Sequence, residues 1–355
     1  MAYTAIDDPS AYFKVQLYTG DGNSSNAITF NDTDTDMQPD LVWIKNRTAT
    51  SSGSHILNDA VRGTQKALYP NGTDAEASTS DGLSAFGSDG FTVGDGAIIN
   101  YNNDNYVAWC WKAGTSFSND ASATSVGSID SDGSINTTSG VAIIRWSGTG
   151  ANATIAHGIA APKVMLIKRI SGGTESWVVY HQEISPAKHL FINNTDAENA
   201  DTNNFQNTAT TSSVFSVGTY NQMNASGTNN MIAYCFAEKQ GFSRFGSYTG
   251  NGNADGTFIY TGFRPAMVLI KRTDATDHWL IYDDQRGYNG DIASLRPNES
   301  HSESTASGYE IDILSNGFKA RQNHDDINGS GNTYVYMSFA KAPLVNSNGV
   351  PCNAR

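Results

Sequence analysis

The side chains best equipped for chemistry in this 355-residue chain are its carboxylates, imidazoles and indoles. Adjacent acids stand at Asp283-Asp284 and Asp325-Asp326, the residue type that cleaves glycosidic bonds. Neighbouring acids on a strand point to opposite faces, however, and in a turn they are ordinary. The histidines are His55, His157, His181, His189, His278, His301 and His324; no metal-ligand spacing links them, and no Gly-x-Ser-x-Gly elbow occurs. The sequence therefore offers no catalytic residue, no cofactor site and no repeated metal site, and a non-enzyme is expected. Two acidic stretches, Gly20-Asp-Gly-Asn23 and Asp32-Thr-Asp-Thr-Asp36, could supply oxygens to Ca²⁺. The matching turn Gly148-Thr-Gly-Ala-Asn152 has no acid, so only a single calcium site in the first third of the chain stays open, against a solvated turn. Trp43, Trp109 and Trp111 could stack on a sugar ring. Large residues recur at the matching positions Tyr234/Phe236 and Met337/Phe339, which favours a sandwich core over a ligand platform. Glycan-binding residues are left unassigned.

These groups are carried by a block that is written three times. Pro39-Asp-Leu-Val-Trp-Ile-Lys-Asn-Arg47 returns as Pro162-Lys-Val-Met-Leu-Ile-Lys-Arg-Ile170 and as Pro265-Ala-Met-Val-Leu-Ile-Lys-Arg-Thr273. A Gly-rich turn precedes each block, at Tyr18–Asn23, Ser147–Asn152 and Tyr248–Asn253. Polar segments Asn71–Glu76, Asn194–Glu198 and Asn298–Glu303 follow, and each copy closes on an aromatic run, 106–111, 231–236 or 334–339. The prolines stand 123 and 103 positions apart, far beyond the roughly 20–50 residues of a solenoid repeat. That is the size of an independent domain. The spacing predicts three globular units in series: a docking segment 1–9, repeat 1 over 10–114, a Ser/Thr/Gly-rich linker 115–139, repeat 2 over 140–238, repeat 3 over 242–343, and a tail 344–355. Repeats 2 and 3 are expected to move as one body and repeat 1 to hinge on its linker. The two terminal segments are expected to dock on neighbours in an assembly.

Within a repeat, alternation along Phe13–Tyr18, the apolar run Leu41–Ile44, and the segments 55–57, 177–180 and 279–282 read as strands. Phe91–Val93 follows an Asp-Gly hairpin signal. Ser, Thr, Asn and Gly are poor helix formers, and no long helical period appears. The expected fold is all-β: three tandem β-sandwich domains of sandwich or jelly-roll type.

Composition narrows the partners. The net charge is −13, with 22 basic against 35 acidic residues, which lacks the basic footprint that nucleic acid or an anionic membrane demands. No apolar run approaches the ~20 residues of a membrane span, and Met1–Pro9 is unlike a signal peptide. Cys110 and Cys235 occupy equivalent positions where repeat 3 has Ser338, as a small packing site would, and Cys352 stands alone.

The combination of 39–47 with Val61-Arg-Gly63, Ser88-Asp-Gly-Phe-Thr-Val-Gly94 and Tyr106-Val-Ala-Trp-Cys-Trp-Lys-Ala-Gly114 resembles a repeat domain in virion and tail-fibre proteins of marine bacteriophages, distantly concanavalin-like. Repeat 3 echoes Val-Arg-Gly as Gln285-Arg-Gly287, whereas repeat 2 departs to Gln182-Glu-Ile184. The resemblance implies a virion structural protein made in the host cytoplasm, favouring a surface-exposed tail component that adheres to host glycans. It also implies contacts with other virion proteins and a homo-oligomer, trimer favoured. A capsid decoration or connector protein and a glycan-cleaving virion enzyme are the two rival readings.

Overall fold

The protein is described by a computed structural model covering residues 3–30, 35–48, 53–227, 229–287, 289 and 292–352. It is all-β, with antiparallel sheets and only short helical turns. Each repeat builds the same order of four strands, a complete sheet in repeats 1 and 3 and the centre of an eight-stranded sheet in repeat 2. In repeat 1 the order is an opening strand Phe13–Thr19, a closing strand Asn105–Trp111, the proline-led strand Leu41–Asn46 and a following strand His55–Asp59. Repeat 2 sets Val141–Ser147, Asn230–Phe236, Val164–Arg169 and Val178–His181 in the same places. Repeat 3 uses Ser243–Thr249, Thr333–Pro343, Phe263–Arg272 and Trp279–Asp283. A smaller sheet packs beside each, built on the pairs Asn26–Thr29 with Gly90–Val93, Ala153–Ala156 with Val214–Val217, and Phe258–Tyr260 with Gly317–Ala320.

The closing strand is apolar on both faces, and its two faces belong to different cores. In repeat 1, Tyr106, Ala108 and Cys110 turn toward the smaller sheet and meet Ile28, Leu83, Phe91 and Val93. The alternate residues Val107, Trp109 and Trp111 turn the other way, into a core shared by all three repeats. Ile232, Tyr234 and Phe236 do the same from repeat 2, and Val335, Met337 and Phe339 from repeat 3. Three equivalent aromatic residues close a triangle: Trp111–Phe236 at 6.0 Å between ring centroids, Trp111–Phe339 at 5.6 Å and Phe236–Phe339 at 5.7 Å. Period-two alternation predicts both faces correctly but not that one of them is a seam between repeats. The expected sandwich core for Trp109 and Trp111 is thus corrected to an inter-repeat core.

The seams run in one rotational sense, so the three repeats form a closed ring. A ring N–H at the head of each following strand donates to a neighbour's carbonyl: Trp177 Nε1 to Tyr69 at 3.0 Å, Trp279 Nε1 to Phe191 at 2.9 Å, and His55 Nε2 to Arg296 at 3.0 Å. Trp43 donates to Nδ1 of His55 at 3.0 Å, which fixes that histidine as the neutral tautomer carrying hydrogen on Nε2. The polar segments after the blocks dock through the backbone: Glu76 N–H on Ile170 O, Glu198 on Thr273 and Glu303 on Arg47, at 3.1, 2.9 and 3.0 Å. The lysine that closes the apolar run of every block is buried under the arriving segment. Lys168 donates to Thr73 O at 2.7 Å, Lys271 to Thr195 O at 3.2 Å, and Lys45 to Ser300 O at 3.4 Å. Contacts that pair unlike surfaces and return to their start after three steps are those of a cyclic trimer. Here one chain supplies all three members.

Three expectations change accordingly. Repeat 1 is not hinged; it contributes to the same core and to two of the three seams. Residues 115–139 are not a slack linker, because Thr115–Asn119 and Ser131–Asn136 form a hairpin that extends the sheet of repeat 2. Phe117 and Ile135 of that hairpin pack against the core of repeat 2, which a polar composition hides. The terminal segments dock on their own chain. Thr4 Oγ1 donates to Gln240 O at 2.8 Å, Ile6 enters the central core, and Ser347 N–H donates to Asp7 at 2.6 Å.

Candidate ligand-binding cleft

The groups expected to do chemistry are mostly spent on structure. Trp43, Trp109 and Trp111 are buried in the central core and offer no face to a ligand. Asp283 is buried, accepting from Trp109 Nε1 at 3.1 Å and from Arg286 Nε at 2.6 Å. Burial raises the neighbouring Asp284 carboxyl. Asp325 is exposed, whereas Asp326 is buried and pushed up to about 7, by desolvation first and then by the carboxyl of Asp277. These pairs do not converge on one open site.

The histidines divide in the same way. His55, His157, His181 and His189 are buried. Burial lowers all four, to about 4 for His157, His181 and His189. His278 and His301 meet at Glu299, at 3.2 and 2.8 Å. Among the described residues no group of three or more His, Cys, Asp or Glu is arranged to hold a metal. Asp21, in the first Gly-rich turn, accepts from the Asn23 N–H and side-chain amide and from Asn100 Nδ2, each at 2.9 Å. Those hydrogen bonds hold its carboxyl below the usual range, led by the one from the Asn23 backbone. Buried Asn224 and Asn328 organise the turns of repeats 2 and 3 from the equivalent place, so the turn is a repeated structural device. Asp32 and Asp34 of the second acidic stretch lie outside the described residues.

In a ring of like repeats, the features that are not repeated are the ones free to specialise. The hairpin 115–136 is one such feature, present among the described residues only beside repeat 2. Asp120 opens the short helical turn Ala121–Thr124 by accepting from the N–H groups of Ser122 and Ala123, at 3.0 and 3.1 Å. Asp130 accepts from Ala121 N–H at 2.8 Å and fixes the tip of the hairpin. Together with the opening strand of repeat 2, the hairpin walls a cleft of about 660 Å³. Its lining is hydroxyl, amide and carboxylate: Asn119, Asp130 and Ser131 on one side, Arg145, Thr149 and Asn230 on the other. Arg145 pairs with Asp132, directly opposite it on the adjacent strand, at 2.6 Å, and both side chains stay well exposed. Such a lining can exchange hydrogen bonds with a hydroxyl-rich ligand. Trp146, at the cleft's back, turns its ring into the core of repeat 2 against Phe215, and its buried Nε1 has no partner. Sequence reasoning missed Asp130 and Asp132 because the hairpin reads as a linker, and with Asp132 it missed the partner of Arg145. The signal that could have found the hairpin is the apolar spacing of Phe117, Ile129 and Ile135 within that polar stretch.

No curated protein and no solved structure matches the chain. One family description matches residues 8–343, a span that takes in all three repeats. The chain belongs to that family, the one described as Domain of unknown function (DUF7483).

Proposed function

We propose that the protein is a non-enzymatic structural component of a bacteriophage virion, placed on the tail or particle surface, that adheres to host-envelope glycans. The three repeats are read as β-sandwich units of jelly-roll or concanavalin-like type, closed into a ring. The resemblance of blocks 39–47, 88–94 and 106–114 supports the virion part of this reading. The open cleft beside repeat 2 supports adhesion, because hydroxyls, amides and carboxylates line a space of ligand size on the one repeat that has an added hairpin. The acidic surface discourages non-specific attachment to nucleic acid and anionic lipid. The internal ring supplies threefold character from one chain, so one copy can meet a trimeric neighbour without forming a trimer itself.

The test combines location with binding. Labelling particles with an antibody to the chain should mark the tail or an exposed surface, and the isolated protein should bind host cells and extracted envelope polysaccharide. The double substitution D132A/R145A should weaken that binding at least tenfold with the fold intact. Capsid labelling without cell binding selects the decoration reading, and release of reducing sugar selects the enzyme.

A further inference from the structure

Large apolar side chains left in solvent are few among the described residues: Tyr101, Tyr220, Phe258, Tyr260 and Val350. Two of them stand side by side. Phe258 and Tyr260 alternate outward from the strand Phe258–Tyr260, at 44% and 53% exposure, while Ile259 between them is buried. The strand rise places the two rings ~7 Å apart along one face. At the matching positions repeat 1 has Ala27 and Thr29, and repeat 2 has Thr154 and Ala156. The aromatic pair is therefore particular to repeat 3 and is not required by the shared fold.

Glycines let both rings lie close to the backbone. A Cβ at Gly317 would come within 3.2 Å of the Phe258 ring and 2.0 Å of Ile259 O. A Cβ at Gly262, whose φ is +83°, would stand 2.6 Å from the Tyr3 hydroxyl and 3.6 Å from that of Tyr260. Tyr3 donates to Gly262 O at 2.7 Å, and its hydroxyl lies 3.4 Å from that of Tyr260. The amino-terminal arm thus adds a third aromatic ring, and a second phenolic group, at the end of the strip. Beside Phe258, on the neighbouring strand, Lys319 pairs with Asp255.

We infer that Phe258, Tyr260 and Tyr3 form a stacking platform for a neutral sugar ring, separate from the cleft of repeat 2. The inference rests on the adhesion reading and names the ligand chemistry for a second surface. Two isolated rings with hydroxyls and one ion pair at their edge suit a ligand that is apolar on its faces and polar at its rim. A protein partner would call for a wider apolar centre. Aromatic faces supply the contact area, and a few convergent polar groups fix orientation. The chain's net charge of −13 favours uncharged sugars over polyanionic ones.

The experiment titrates the intact chain with neutral hexose and N-acetylhexosamine oligosaccharides, following binding by calorimetry and tyrosine ring shifts by NMR. Wild type should bind at least one class, and F258A/Y260A should lose affinity tenfold or more with an unchanged thermal midpoint, since both side chains are exposed. Full affinity in F258A/Y260A overturns the platform. If D132A/R145A abolishes binding while F258A/Y260A retains it, the cleft alone is the sugar site, and adhesion survives without the platform. A drop from dimer to monomer in F258A/Y260A, seen by sedimentation, reassigns the strip to contact between copies. Failure of every neutral oligosaccharide to bind wild type also overturns the platform, whereas cell binding and particle labelling judge the adhesion reading independently.

Discussion

Tyr234 donates its phenolic hydrogen to Asp59 at 2.7 Å, across the seam between repeats 2 and 1. Asp59 also accepts from Arg62 Nε at 2.5 Å, with both side chains buried. The seam between repeats 1 and 3 copies this arrangement with Trp109, Asp283 and Arg286. At the third seam the matching positions hold Met337, His181 and Ile184. Met337 has no hydrogen to donate; Ile184 joins the central core in place of the arginine, and His181 bonds Tyr336 O at 3.1 Å. The departure of Gln182-Glu-Ile184 from Val-Arg-Gly therefore travels with a change on the opposite side of the seam.

Removing one member of a buried pair leaves the other charge stranded. Arg62→Ala and Arg286→Ala should each cost roughly 3–5 kcal/mol of unfolding free energy in urea titrations. His181→Asp should destabilise for the same reason, since its carboxylate would face methionine. The triple change H181D/I184R/M337Y should recover part of that loss. A triple variant no more stable than H181D would break the assigned correspondence between seams.

The aromatic triangle makes the three repeats one cooperative unit. Trp111→Ala should remove about 3–5 kcal/mol, as large-to-small changes in a core do. Unfolding of both wild type and variant should appear as a single transition by tryptophan fluorescence and by circular dichroism. Separate transitions for repeat 1 and for repeats 2 and 3 would mean that the central core does not couple them.

Stability should fall in acid for a specific reason. His157, His181 and His189 are lowered to about 4 by burial, and His55 well below its ordinary value, so the unfolded chain binds protons that the folded chain refuses. The loss begins as pH drops below 6.5 and grows toward 4, at up to about 1.4 kcal/mol per pH unit per histidine. In the other direction, burial lowers Lys45 to about 7 and Lys168 and Lys271 to about 8. The unfolded chain keeps those protons to higher pH, so stability should rise from about pH 7 toward 10. Above that, buried tyrosines such as Tyr18, Tyr248 and Tyr282, whose values burial raises, reverse the trend. Thermal midpoints across pH 4 to 11 check the shape: replacing His181 with Gln should flatten the acid limb, and an unchanged limb would remove that histidine from it.

Much of the strand order was legible, because each copy repeats the same turn chemistry and the same apolar alternation. Trp109 and Trp111 were legible as buried, but not as buried between repeats, since alternation reports a face and never the surface that covers it. Lys45, Lys168 and Lys271 look like solvent-facing ends of apolar runs. Only the folded ring brings a neighbour's carbonyls over them. The hairpin 115–136 was hidden by its Ser and Thr content, and Phe258 and Tyr260 by the absence of any chemistry in their spacing. The sites proposed for binding are the unrepeated ones, where a pattern found by repetition has nothing to say.

Asp7 and Ser347 touch, so the two ends of the described chain meet at one place on the ring. The exposed turn Ser122–Ala123 lies far from them along the sequence, at the tip of an outlying hairpin. A chain cut at that turn, with a short flexible bridge joining the Asp7 and Ser347 ends, should fold with the same seams and nearly the same urea midpoint. Loss of folding in that permuted chain would show that assembly must start from repeat 1. Success would mean that first, second and third are positions in the gene, and that the folded ring itself has no beginning.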